Sequence, residues 1–453
     1  MASKEKIEES TNEKRKIYTV GDLDNFALHE ILSKLSLTDK IEFRNVNKQW
    51  KTIIDEVFSE QETVAIVDED RKRLDPSNEI QIAKGSLSAN MVAIIIKLFP
   101  KIKHLGLGCD VDLTLFEILA MRSKNLQSLT ISGSFFTDKH LQASIEFASN
   151  LECLSLKGCS VTEDGLYAIV KECNHLTALK LDSISEVNGH CFDSLNSRFT
   201  SLHLIECPKM DDNCWTALGS GKGKQLSLIK VKNCIMNEYI LNQIAKSFTK
   251  LTSLEIQFPS NSKYNLKSLA SLSKLNSLTI VDESKCPIFD DKQFIEIQRG
   301  CCQLTKIELR FNKSANKVAI SDKSFLEMND NCPKLVCLSL TSIKSITKAT
   351  FKSLAECKKM EEVSFHSMEA KDADFQTLIK ASKSLKKLTF DDCKISKLTV
   401  TEANKLAKRM PKFWIILTIK GENNVKKKSI DAWLPIKQRA KNFLIIFESS
   451  SFK

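Results

Sequence analysis

The chain has 453 residues, 42% of them hydrophobic and only 13 of them glycine, with a formal net charge of +11. No stretch approaches the roughly 18 to 20 apolar residues of a membrane helix, and the charged opening MASKEKIEESTNEKRK lacks a signal peptide's apolar core, so a non-membrane protein of the cytoplasm or nucleus is expected. There is no glycine-rich phosphate loop and no H-E-x-x-H among the seven histidines, so neither catalysis nor a cofactor or metal is expected.

Residues 1–16 are a charged tail, expected to be disordered. Residues 17–58 hold three apolar helical stripes. Leu28, Ile31, Leu32 and Leu35 fit a first helix; Thr38 opens a second through Ile41 and Phe43; Asn47 opens a third through Trp50, Ile53, Ile54 and Val57. A unit of about 40 residues buries little surface alone, which points to a partner. The order Leu23, Leu28, Ile31, Leu32, Leu35, Asp39, Val46 and Trp50, ending in the D…V-x-K-x-W pattern, resembles an F-box. It departs from the usual Leu-Pro opening, since Asp24 follows Leu23. The resemblance implies that Leu23, Leu28, Ile31, Leu32, Leu35, Val46 and Trp50 bind a Skp-type adaptor, and through it a cullin.

Residues 59–100 read as a linker and amino-terminal cap, with a strand near Ile80 and Ile82 and a helix from Ala89 to Phe99 capped by Ser88. From residue 101 one phrase, L-x-x-L-x-L, recurs. It begins at Ile102, Leu126, Leu151, Leu176, Phe199, Leu226, Leu251, Leu275, Leu304, Leu335, Met360, Leu385 and Phe413, at intervals of 23 to 31 residues. This is the period of leucine-rich repeats, which bury a continuous core only by stacking. The expected fold class is therefore α/β, a horseshoe solenoid with strands concave and helices convex, running to residue 453. In one unit Leu154 and Leu156 alternate as a strand, and Leu166, Ile169 and Val170 form a helical stripe behind Thr162 or Asp164.

The cysteines keep two registers. Cys159, Cys207, Cys234 and Cys393 fall eight residues after the phrase begins, and Cys173, Cys301, Cys332 and Cys357 three residues before the next. Both registers predict buried free thiols in a reducing compartment, and Cys301-Cys302 is assigned a structural place, not a metal or redox one. The unit from Leu156 through Cys159, Thr162, Gly165, Leu166, Ile169 and Cys173 resembles the cysteine-containing repeat class. With the F-box-like start, the chain resembles F-box and leucine-rich-repeat proteins. That resemblance implies a non-catalytic substrate receptor of a cullin-based SCF-type ubiquitin ligase; a scaffold with an F-box but no degradative role is the alternative.

The repeats would hold the target protein on their concave face. Lys180, His203, Lys230 and Lys232 fall on three successive strands about 5 Å apart and could form a basic strip for an acidic or phosphorylated target; Lys306 and Arg310 extend the candidate set. The alternative is an ordinary solvated lysine face. Positive charge also gathers in residues 380–453, with 18 Lys or Arg against 6 Asp or Glu, including Lys405, Lys408, Arg409, Lys412 and Lys426 to Lys428. With few aromatics among them, nucleic-acid binding is not expected. Asp282 to Asp290 and Asn312 to Ala319 are insertions on one side of consecutive coils, suited to a binding rim or simply tolerated. The run Phe443 to Phe447 is expected to close the last coil.

Overall fold

A computed structural model describes residues 23–67, 96–108, 111, 113–259, 263–315, 318–420, 434 and 438–448. The tail 1–16, the strand at Ile80 and Ile82 and most of the helix from Ala89 lie outside those residues. Three helices open the described chain: α1 (Asn25–Ser33), α2 (Leu37–Phe43) and α3 (Lys48–Glu60). Among the described residues fifteen parallel strands follow in one sheet, in unbroken chain order. They are β1 (Thr63–Val67), β2 (His104–Gly108), β3 (Ser128–Ser132), β4 (Cys153–Lys157), β5 (Ala178–Asp182), β6 (Ser201–Ile205), β7 (Leu228–Lys232), β8 (Ser253–Phe258), β9 (Ser277–Asp282), β10 (Lys306–Phe311), β11 (Cys337–Thr341), β12 (Glu362–His366), β13 (Lys387–Asp391), β14 (Ile415–Lys420) and β15 (Phe443–Glu448).

The thirteen phrases become β2 to β14. Two strands lie outside them. The run from Phe443 is β15, which pairs with β14. At the other end, the sheet begins at β1 in the segment assigned to a linker, and pairs with β2 from Thr63↔His104 to Val67↔Gly108. Strands stack about 4.8 Å apart whereas packed helices need about 8 to 10 Å, so a coil with a strand on one side and a helix on the other must curve with its strands inside.

Alternation sends one side chain set into the coil. Leu105, Leu129, Leu154, Leu179 and Leu202 stand in register and are buried, as are Leu107, Ile131, Leu156, Leu181 and Leu204. Each such side chain contributes about 1.5 to 3 kcal/mol on burial. Helices return the chain in most coils; where the return is shortest, single 3-10 turns at His190–Ser194 and Lys267–Ser271 replace them.

The coils are also pinned at the helix starts. An acid at the start of one coil's helix, at its first position for Asp138 and Asp372 and at the N-cap for Asp322, accepts hydrogen bonds from the Ser or Thr that opens the next helix. Asp138 takes the N–H and hydroxyl of Thr162 at 2.8 and 2.7 Å, Asp322 those of Thr347 at 2.8 and 2.7 Å, and Asp372 those of Ser396 at 2.7 and 2.6 Å. Three residues further on, Thr350 and Thr399 donate a second hydroxyl to the same acids. Burial alone would raise the pKa values of Asp322 and Asp372, but these donors hold both below the ordinary carboxylate range. In the coil after Asp138 the corresponding residue is Gly165, where a Cβ would stand 2.1 Å from an Asp138 carboxylate oxygen. The glycine is there to leave room for its neighbour's acid.

Both cysteine registers are internal. The thiols of Cys159, Cys207 and Cys393 donate to carbonyls of the preceding coil, at Ile131, Leu181 and Phe365. Cys173 and Cys301 cap helix C-termini through their N–H groups. Burial pushes the thiols of Cys173, Cys301, Cys332, Cys357 and Cys393 up to about 12. Cys302, by contrast, is exposed.

Two outcomes are expected. Gly165→Ala, favourable by about 1 kcal/mol in an open helix, lowers the denaturation midpoint here, and adding Asp138→Ala recovers part of the loss in a double-mutant cycle. Additive losses would show that the two positions do not compete. Under native alkylation read by peptide mass, Cys286 and Cys302 react first, Cys153 and Cys337 more slowly, and Cys159, Cys207 and Cys234 only after unfolding.

Candidate interaction surfaces

In the amino-terminal helices the i, i+3, i+4 stripe is a core. Leu28 and Leu32 are buried with Ile53, Ile54 and Phe58. These two of the seven expected adaptor contacts therefore do not reach the surface, because burying them is what holds α1 on α3. Of the others, Ile31 (48%) and Val46 (57%) are exposed, while Leu23, Leu35 and Trp50 are half-buried. Phe26, not anticipated, is 78% exposed. Periodicity selects residues facing the core, so an apolar residue off the stripe carries no signal of its own.

Local devices fix this unit. Asp24 is the N-cap of α1 and accepts the Ala27 N–H at 2.7 Å, so it starts the helix by capping where a proline would do so by restricting φ. The second helix starts at Leu37 behind Ser36, not at Thr38, since Ser36 accepts the Asp39 N–H. Arg44 grips Asp55 with two donors at 2.6 and 3.2 Å and ties α2 to α3, while Phe43 meets Trp50 edge to face at 5.4 Å. At its far end Phe58 packs on Phe99 at 4.8 Å, joining the helices to the first coil.

On the concave sheet, register places Lys180, His203, Lys230 and Glu255 side by side on β5 to β8. Glu255 changes the meaning of the strip. Lys230 and Lys232 both reach its carboxylate at 2.9 Å, across to the next strand. Burial alone would raise Glu255, but the two lysines hold it below the ordinary carboxylate range. His203 is pushed down to about 4, first by burial and then by Lys230 and Lys180, so it is uncharged at neutral pH. The expected run of four basic groups is thus a lysine at one end, a neutral imidazole, and two lysines sharing one acid. Lys306 and Arg310 stand apart on β10, and Arg310 pairs with Glu308 at 2.6 Å.

The basic carboxyl end is also partly engaged. Arg409 donates to the carbonyls of Lys380 and Ile379, and Lys405 pairs with Glu402. Lys412 is exposed beside Phe413 and Trp414; Lys426 to Lys428 lie outside the described residues. The inserted segments do leave the same ends of β9 and β10. The first is anchored where Tyr264, stacked on Phe258 at 3.8 Å, donates to buried Asp282; in the second, Lys313 pairs with Asp392, beyond the end of β13. Among the described residues no cluster of three metal-binding side chains occurs, and no helix is long and apolar enough to cross a membrane.

Residues 21–60, which span all three helices, match the F-box domain family. The chain carries an F-box. No curated protein matches the chain. Among solved structures, an internalin from Listeria monocytogenes is 14% identical with a TM-score of 0.42, over 80% of this chain and 93% of that one. The complex of Rad7 and Elc1 in yeast also gives 14% identity and a TM-score of 0.42, over 93% of this chain and 92% of that one. The leucine-rich-repeat solenoid behind the F-box rests on its own repeat and sheet geometry.

Core and surface positions of the F-box should separate in stability. Leu32→Asp buries a charge and is expected to cost about 3 kcal/mol or more, with loss of α1 to α3 by hydrogen exchange. Val46→Asp leaves the same amides protected. His203 gives a pH signature. Its folded pKa near 4 lies below 6.5, so between these values the unfolded chain takes up a proton that the folded chain does not. Its stabilising contribution is whole above pH 6.5 and is lost as pH falls to 4. Denaturant midpoints across that window should fall less for His203→Gln than for the native chain.

Proposed function

We propose that this protein is a substrate-recognition subunit of a cullin-based, SCF-type ubiquitin ligase. The observation that carries this is the F-box at residues 21–60, exposing Phe26, Ile31 and Val46, joined without a spacer to a fifteen-stranded interaction sheet. Apolar side chains left uncovered on so small a helical unit suit a protein partner, and the F-box makes a Skp-type adaptor the natural one. The chain itself does no chemistry in this reading. It raises the concentration of a target lysine beside a charged conjugating enzyme held by the cullin, an effect of proximity. Such a complex works in the cytoplasm or nucleus.

Ile31→Asp with Val46→Asp should abolish co-purification with a Skp-type adaptor while the solenoid's unfolding transition is unchanged. Adaptor binding that survives the double variant counts against the surface. Affinity purification with and without proteasome inhibition tests the degradative role: a receptor accumulates ubiquitylated partners under inhibition, and an F-box scaffold does not.

A further inference from the structure

Strands β1 to β6 enclose a cleft of about 270 Å³ on the concave face. Along its floor the register runs Ala65, Gly106, Thr130 and Ser155, all small, and then meets the longer Lys180 and His203. The step in size makes the cleft. At Gly106 even a Cβ would come within 3.2 Å of the Ala65 methyl, so the floor is as low as two neighbouring strands allow. Six strands about 4.8 Å apart span roughly 24 Å, the length of about seven extended residues.

The charge of the wall is one-sided. Lys180 has no ion-pair partner among the described residues, and Lys157 shares Asp182 at 3.3 Å. With Lys230 and Lys232 beside it, the wall presents four lysines against the two acids Asp182 and Glu255. No Phe, Tyr or Trp lines the cleft, and the imidazoles of His104 and His203 are the only rings it offers a base.

We infer that this cleft is the target-docking site and takes an extended acidic protein segment, one large apolar side chain resting on the small-residue floor and an adjacent carboxylate meeting Lys180. The inference rests on the receptor reading and locates its target site. The apolar side chain displaces water from the Ala65 and Gly106 end of the floor, where no side chain at those two positions can hydrogen-bond it, and Lys180 gains a counter-charge. An unmodified acidic segment suffices, because a single unpaired lysine balances a single carboxylate.

Cys153 lines the cleft, and Cys337 occupies the same position of the strand on β11, outside it. Alkylation of the full-length protein therefore footprints the cleft with an internal control. The probes are peptide amides GWEDG, GWKKG and GAEDG. Expected is slowed alkylation of Cys153 but not Cys337 by GWEDG, with weak or no effect from the other two. In Lys180→Glu the protecting concentration should rise about tenfold or more, and in Thr130→Trp, which fills the floor, protection should vanish. Should the Trp variant fail to fold, the surface variant Lys180→Glu and the three peptides still decide the matter. Equal protection by GWKKG, equal protection of both thiols, or none from GWEDG overturns the inference, as does a Cys153 already unreactive in the free protein. Adaptor capture is scored on the same preparations: its loss with peptide footprinting intact speaks against the F-box reading, and footprinting lost with capture intact speaks against the cleft.

Discussion

Every coil of this protein is incomplete until the next is laid on it. The parallel ladder between strands is one half of that dependence, and the hydrogen bonds that several helix starts make to the preceding coil's acid are the other. Asp138, Asp322 and Asp372 sit at helix N-termini, where the peptide dipoles already favour a negative charge, but their donors come from the following coil. The capping acid thus stabilises two helices at once, and neither keeps it if the coils slide. Register is thereby specified at the helix starts too, where only isolated bridges such as Thr137↔Ser160 and Thr162↔Glu186 continue the strand pairing. Directly after strands β5, β6 and β7, Ser183, Glu206 and Asn233 adopt positive φ, and their N–H groups bond to carbonyls at or next to the end of the following strand, at Ile205, Lys232 and Gln257. A left-handed residue costs about 1 to 2 kcal/mol, and a bond to the next coil, repeated along the sheet, offsets it.

The same stacking sets the electrostatics of the concave face. Side chains at one strand position are brought about 4.8 Å apart, closer than most surface charges, so like charges on adjacent strands are costly. The chain resolves the run on β5 to β7 in two ways. Glu255 is inserted on β8 to divide the charge of Lys230 and Lys232, and His203 between Lys180 and Lys230 gives up its proton. What remains is one lysine, Lys180, with no ion-pair partner among the described residues, at the border between large and small side chains. Polarity and shape change at the same strand.

Much of this is legible in the sequence. The thirteen phrases locate β2 to β14 because burying the alternating residues leaves a strand no other register. The cysteine registers were legible for the same reason, since a position that recurs with the repeat is a position in the coil. The strand β1 was not, because Thr63 to Val67 lies outside the phrase and its pairing with β2 is separated by a long stretch of chain. In the F-box one apolar stripe serves both bundle and contact, and periodicity does not divide it; the helices do, with Leu28 and Leu32 inward and Ile31 outward. Phe26 carried no periodic signal. The pairing of Lys230 with Glu255 is legible too, because both are fifth in their phrases and must be adjacent; a strip defined by positive residues alone leaves out the acid in the same row.

The junction between the F-box and the sheet bears on how a receptor of this build would hold its target. Only Gln61 and Glu62 separate α3 from β1, and even these are tied, the Glu62 carbonyl accepting the N–H groups of Lys103 and His104 and its carboxylate pairing with Lys103 at 2.6 Å. Phe58 packs on Phe99 from the same helix. There is no flexible linker across which a bound target could sample positions, so the orientation of the first strands relative to an adaptor on α1 to α3 is set by packing. A cleft on β1 to β6 lies at the F-box end of the sheet, and in the proposed receptor a segment seated there would be presented from a rigid mount. Proximity then acts with a defined direction: the lysine that receives ubiquitin would be chosen by its reach from the docked segment, not by motion of the receptor.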